Sequence, residues 1–213
     1  RSNANVIYKT PKDALFDVGK YNKELEKIVE ERDIIVDYNY NLVEIDGDKK
    51  EATFEHIKTN DRKTIDYEML HVTPPMGPLR VLKESTLSDS DGWVDVNPTT
   101  LQHKSYSNIF ALGDASNVPT SKTGAAIRKQ APIVVNNLLQ VMDNEMLTHH
   151  YDGYTSCPIV TGYNKLILAE FDYNKKPKET FPFNQAKERR SMYIFKKDLL
   201  PKIYWYGMLK GLM

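Results

Sequence analysis

The stretch IFALGDASNVPTSKTGAA, residues 109–126, constrains the fold more than any other part of the sequence. Ile109 to Leu112 is an apolar run that reads, from Asn108 on, as the end of a buried strand. Gly113 lets the backbone turn closely there, and Asp114 then projects a carboxylate at the carboxyl end of a sheet, where α/β folds bind ligands. A helix is predicted to begin near Ser121, with unsatisfied N–H groups and a positive dipole end. The small residues Thr123, Gly124, Ala125 and Ala126 let a planar group approach those N–H groups. A hydroxyl acceptor on one side and an electropositive helix end on the other suit a flavin. Asp114 would take the ribitol, and the helix start would face the pyrimidine side of the ring. The plainer alternative is an ordinary aspartate cap before a core helix.

The flanking chain predicts an α/β arrangement. Asn5 to Lys9 reads as a strand, Tyr21 to Arg32 as a helix with Leu25, Ile28 and Val29 on one face, and Ile34 to Tyr38 as a second strand. That succession predicts parallel pairing through a right-handed crossover. Leu42 to Ile45, Ala52 to Phe54 and Thr64 to Tyr67 form an antiparallel excursion, turning at Asp46-Gly47. Met69 to Val72 reads as another buried strand, stopped by Pro74-Pro75. Trp93 to Val96 is a short strand. Lys122 to about Met142 is helical, with Ile127, Val134, Leu138 and Val141 on one side and Pro132 expected to kink or split it. Cys157 to Val160 and Leu166 to Phe171 form a strand pair, residues 174–187 a loop, and Ser191 to Met213 an aromatic-rich helix interrupted near Pro201.

Composition removes several classes. Lys plus Arg and Asp plus Glu stand at 29 each, so phosphate neutralisation cannot drive nucleic-acid binding. No run approaches the roughly 20 apolar residues that span a bilayer. One cysteine, Cys157, rules out a disulfide framework within these residues. The adjacent rings of His149 and His150 point apart, and no metal site is expected. The opening RSNANVIYKT passes straight from polar residues into a strand, which reads as a cut rather than a natural start.

Residues 100–115, TLQHKSYSNIFALGDA, resemble the second flavin-binding motif of the two-dinucleotide-domain flavoproteins. YDGYTSCPIVTGYNK (151–165), MLHVTPPM (69–76) and LILAEFDY (166–173) resemble segments of the sulfide:quinone oxidoreductases, the mitochondrial ones above all. The fold implied is a partial FAD/NAD(P)-binding Rossmann-like α/β fold, with an antiparallel excursion and a C-terminal α+β region. Residues 1–76 would be part of a nicotinamide-type dinucleotide-binding-like domain, 77–143 the C-terminal part of the FAD-binding domain, and 144–213 an active-site and membrane- or quinone-proximal region. The resemblance implies FAD as cofactor, with Asp114 on the ribitol and Lys122, Thr123, Gly124 and Ala125 at the flavin-contacting helix start. NADH binding is not expected.

The family uses two redox-active cysteines, and Cys157 matches the second. The resemblance implies that sulfide attacks a sulfur bridge between them. Cys157 would keep the sulfane sulfur as a persulfide, and two electrons would pass through FAD to ubiquinone. Glutathione or sulfite would then take the sulfur. From composition alone, Cys157 reads first as a small buried hydrophobe, and it is the resemblance that reverses this. Family members sit on the matrix side of the mitochondrial inner membrane. Ile203, Tyr204, Trp205, Tyr206, Leu209 and Leu212, with Lys202 and Lys210, suit such a surface. Their plainer reading is a terminal helix packed on its own domain. The resemblance implies a chain that is part of the full enzyme and inactive by itself. An NADH:quinone-type flavin reductase and a non-catalytic interaction module are the alternatives.

Overall fold

Val6–Thr10 (β1) and Ile34–Tyr38 (β2) pair in parallel, Val6 with Ile34 through Thr10 with Tyr38, on either side of helix Gly19–Glu31 (α1). The chain is described by a computed structural model over residues 4–212. α1 buries Tyr21 and Ile28, and the Val18 carbonyl accepts from the N–H groups of Tyr21 and Asn22 at 3.0 Å. The antiparallel excursion is a three-stranded sheet, Tyr40–Asp46 (β3), Glu51–His56 (β4) and Arg62–Asp66 (β5), in the order β3-β4-β5. Asp46 pairs with Glu51 across a four-residue loop, and its Oδ1 accepts from the N–H groups of Asp48 at 3.1 Å and Lys49 at 3.0 Å. Ala52 and Phe54 are buried, as the two-residue period of β4 requires. All of this lies in the first of two compact units, Arg1–Pro75; the second is Met76–Met213.

Three predicted strands are corrected. Met69 to Val72 forms no strand and pairs with nothing among the described residues; Met69 is 86% exposed. An apolar run becomes a buried strand only where neighbours satisfy its backbone. Ile109 to Leu112 is extended but half-buried, and its only ladder contact among the described residues is the bridge between Phe110 and Gln102. Trp93 to Val96 is likewise held by isolated bridges, Val94 to Ser88 and Ser116, and Val96 to His103.

In the second unit a short helix Arg80–Lys83 (α2) precedes the long helix Gly124–Met142 (α3). Pro132 lies inside α3, which runs on unbroken, so the expected split does not occur. Of the predicted inner side of α3, Val134 packs on the core and Ile127 lies against Gly113, but Leu138 does not go inside. Leu138 is 39% exposed, whereas Ala126, Gln130 and Asn137 are buried. Asn137 goes inside because its amide serves the backbone: Nδ2 donates to Thr100 O at 3.0 Å and His149 O at 2.9 Å, and Oδ1 accepts from His149 N–H at 3.2 Å. The core beside it gathers Val94, Val96, Leu101, Val118 and Tyr151.

Thr155–Gly162 (β6) and Lys165–Phe171 (β7) form the expected antiparallel pair. The polar loop after β7 leads to helix Arg190–Ile194 (α4), where Met192 packs on Leu166 and Leu168. One π-helical turn, Phe195–Leu199, then joins α4 to Leu200–Tyr206 (α5). The predicted interruption near Pro201 is therefore a widened turn rather than a break, and Pro201 follows directly on that turn as the second residue of α5. Met213 lies outside the described residues.

Tyr154, just before β6, donates its phenol to the buried Glu170 carboxylate. Burial, then the Glu170 charge, pushes the phenol up to about 12 from its ordinary value of 10.0. The folded protein favours the neutral phenol, so this contribution is complete below about pH 10 and is lost as pH rises towards 12. Urea unfolding across that window is expected to show wild-type protein losing on the order of 2 kcal/mol more than Tyr154→Phe.

Candidate functional site

Gly113–Ala115 forms a single 3-10 turn rather than a plain strand-to-helix corner. Gly113 is buried with φ of +61°, and an added Cβ would stand 2.9 Å from Ile127 Cγ1. Its N–H donates to Gln130 Oε1 at 2.7 Å. The fixed turn leaves Asp114 exposed, its carboxylate available to a hydroxyl-bearing ligand.

The helix start is built by two threonines. Thr123 is the N-cap of α3, and its Oγ1 accepts from Ala126 N–H at 3.2 Å. Thr155, at the start of β6, donates through Oγ1 to Ser121 O at 3.2 Å, and the two threonine hydroxyls lie 3.0 Å apart. Each hydroxyl has one hydrogen. Thr155 spends its own on Ser121, so Thr123 must donate to Thr155. The result is one directional chain from Ala126 N–H through Thr123 and Thr155 to the Ser121 carbonyl. Thr123→Val is expected to lower stability by about 1–2 kcal/mol in urea unfolding, whereas Thr123→Ser retains nearly all of it.

That chain ties β6 to the start of α3. Side chains two apart on a strand share a face, so Cys157 stands on the same face of β6 as Thr155. The structure thus brings the strand of Cys157 and the Thr123 cap together, with Cys157 partly buried opposite Ala169. Glu170 pairs with Ser156 and occupies the other face.

Lys122 is half-buried. Its Nζ lies 4.1 Å from the centre of the Trp93 ring and donates to the Ser116 carbonyl. Burial pushes the ammonium below its ordinary range, against the opposing charges of Asp114 and Asp89. The Asp114 carboxylate and the Lys122 ammonium therefore act on each other. Gly124 is exposed, and nothing lies within 4 Å of a Cβ built on it. The N–H groups of Gly124 and Ala125 have no acceptor within their own helix. An exposed carboxylate, a cation and an open helix start fit the ribitol hydroxyls and the electron-rich edge of a flavin.

Mitochondrial sulfide:quinone oxidoreductase of Mus musculus is 52% identical to this chain over 212 residues, 99% of this chain and 47% of that protein. The protein of the same name from Dictyostelium discoideum is 52% identical over 199 residues, 93% of this chain and 44% of that protein. The chain belongs to the sulfide:quinone oxidoreductase family. It spans about half the length of the curated relatives it matches. No family model matches it. The sulfide:quinone oxidoreductase of Aquifex aeolicus superposes with a TM-score of 0.79 at 19% identity, over 96% of this chain and 50% of that one, which shows the same fold. A chain of the Tetrahymena thermophila mitochondrial ATP synthase structure also superposes at 0.79, with 28% identity over 92% of this chain and 48% of that one.

Against this family framework, Asp114, Lys122, Thr123, Gly124 and Ala125 converge on one surface of the second unit, and Cys157 lies on the strand fastened to it. Gln130 and Trp93 were not legible as site residues. Gln130 follows Arg128 and Lys129 in sequence and so reads as part of a solvated stretch; its burial and its bond to Gly113 mark it. Trp93 lies about thirty residues from Lys122 in the chain, and no spacing rule connects them.

Proposed function

We propose that the chain is the part of an FAD-dependent sulfide:quinone oxidoreductase that carries the sulfur-holding cysteine and half of the flavin site. The observation that carries this reading is the hydroxyl chain between Thr123 and Thr155, which fastens the Cys157 strand to the helix start facing the proposed flavin. Likeness to relatives named mitochondrial sulfide:quinone oxidoreductases supports it.

On this reading Asp114 accepts hydrogen bonds from the ribitol, while Lys122 and the N–H groups of Gly124 and Ala125 face the pyrimidine edge. The bound flavin supplies the two-electron acceptor. Cys157 holds the sulfane sulfur as a persulfide, and only its thiolate exchanges sulfur. A second cysteine is needed, and it belongs outside these 213 residues, whose sole cysteine is Cys157. The 213 residues by themselves therefore reduce no quinone with sulfide. Ubiquinone takes the electrons, and glutathione or sulfite removes the sulfur.

The reading places the protein on the matrix face of the mitochondrial inner membrane. Among the described residues no helix is long and apolar enough to cross a membrane. Trp205, Tyr206, Leu209 and Leu212 are exposed beside Lys202 and Lys210, which suits a helix lying in the interface.

Cys157→Ser in the full-length protein tests the reading. Sulfide-dependent quinone reduction is expected to vanish while bound flavin remains, and wild-type Cys157 is expected to gain the mass of one sulfur on sulfide treatment. Full activity of the variant with NADH as donor would overturn the reading in favour of an NADH:quinone reductase. The likeness to an ATP synthase chain favours a second reading, a non-catalytic interaction module. Full-length protein that binds no flavin would support that one.

A further inference from the structure

We infer that Trp93 is a positioning residue for Lys122, and that its indole face sets where the candidate flavin site carries its positive charge. The inference rests on the proposed flavin site.

The Trp93 backbone is itself held in place. Asp89 Oδ1 accepts from the N–H groups of Asp91 and Trp93, each at 3.0 Å, and Asp89 N–H donates to Trp93 O at 2.8 Å. Gly92 completes the turn with φ of +91°, where an added Cβ would stand 2.8 Å from Lys83 Cγ. Val94, the next residue, is buried and bridged to Ser88 and Ser116. The Trp93 backbone is thus fixed on both sides.

Lys122 has a long stem with four rotatable bonds and would otherwise spread its charge over a wide volume. Two contacts hold its tip: the Ser116 carbonyl and the Trp93 ring, whose centre is 4.1 Å from Nζ. Ser116 is fully buried and follows the Gly113–Ala115 turn, so the carbonyl anchor is rigid. The ring covers the ammonium on another side and is the best aromatic partner for a cation. Asp114 and Asp89 are the anions that act on this ammonium, and among the described residues no carboxylate is found within ion-pair distance of it. The charge is held beside Asp114 by a ring and a carbonyl that leave it unneutralised. A cation kept near a flavin raises its reduction potential by favouring the reduced form.

The test uses the full-length holoprotein. Trp93→Leu is expected to lower the potential of the bound flavin by about threefold in the ratio of reduced to oxidised form, roughly 14 mV for a two-electron couple. Trp93→Phe is expected to fall between the two, since the ring attraction weakens from tryptophan to phenylalanine. In a Lys122→Met background the same Trp93→Leu change is expected to leave the potential where Lys122→Met alone puts it. An equal shift in both backgrounds would show that the indole acts on the flavin without the lysine, and would overturn the inference. A second readout needs no flavin. The limiting rate of Lys122 acylation, followed by mass spectrometry, is expected to rise several-fold in Trp93→Leu, and an unchanged rate would also overturn the inference. If Trp93→Leu does not fold, the Trp93→Phe comparison decides. A holoprotein without flavin would overturn the proposed function, while the acylation rates would still decide the hold on Lys122.

Discussion

Gly113→Ala is expected to lower stability by about 2–4 kcal/mol and to strip flavin from the full-length protein. Two separate costs add. At φ of +61° the backbone sits in the left-handed region, which costs an L-residue roughly 1–2 kcal/mol. The new methyl would also stand 2.9 Å from Ile127 Cγ1 and 3.0 Å from Cδ1, on the helix packed against the turn. Cδ1 can swing aside, but Cγ1 is close to the α3 backbone and can move only if the helix does. Adding Ile127→Val, which removes Cδ1, is expected to regain about 1 kcal/mol and leave the backbone cost in place. Any shift of Gly113 also strains its N–H bond to Gln130, which joins the turn's first amide to α3. Asp114 is the next residue, so its carboxylate moves with the turn, and flavin content should fall with it. Gly124→Ala is the contrast. Nothing in the protein crowds its Cβ, so stability should hold or rise by about 0.5 kcal/mol. Urea midpoints and the flavin-to-protein absorbance ratio measure both effects. A Gly113→Ala protein of wild-type stability would show that the turn is not built as described.

The contrast between these glycines shows what was legible in the sequence. Both lie in one small-residue stretch, and that stretch marked the corner at which the flavin is proposed to bind. Period and turn chemistry placed β1, α1, β2, the three-stranded excursion and the β6–β7 pair within a residue or two. Each depends on local pattern. The failures share a physical cause: Met69 to Val72 and Ile109 to Leu112 are apolar runs whose state depends on neighbours far away in the chain. Leu138 was assigned to the inner side of α3 because it is apolar, yet Asn137 took that place, since backbone carbonyls at Thr100 and His149 needed a donor. A polar side chain recruited to satisfy a loop leaves no periodic trace. The same limit hid Gln130 and Trp93, whose roles follow from contacts 17 and 29 positions away, Gln130 with Gly113 and Trp93 with Lys122.

Glu170→Ala is expected to cost about 3–5 kcal/mol, the largest single loss in the second unit, without moving Cys157. Glu170 is 3% exposed and accepts from Tyr154, Thr180 and Gln185. Thr180 N–H reaches Oε2 at 2.7 Å, Thr180 Oγ1 reaches Oε1 at 2.9 Å, Gln185 Nε2 reaches Oε2 at 2.7 Å, and the Tyr154 phenol also donates to Oε1. Truncation removes the shared acceptor at once, and a buried donor without a partner costs about 1–3 kcal/mol. Gln185 keeps its bond to Leu168 O, which moderates its share. These bonds clip the loop after β7 onto the hairpin, and that loop delivers α4, whose Met192 packs on Leu166 and Leu168. The loss should therefore spread: amide exchange at Thr180 and Phe181 is expected to accelerate by orders of magnitude, and protection around Met192 to fall with it. Glu170→Gln keeps one acceptor oxygen but turns an amide donor towards other donors, so about 1–3 kcal/mol of loss is expected. Because Glu170 faces away from Cys157, the rate at which a thiol reagent modifies Cys157 in native protein should stay within about twofold of wild type. A Glu170→Ala protein with wild-type stability, or with Cys157 exposed to the reagent, would show that the two faces of the hairpin are not independent.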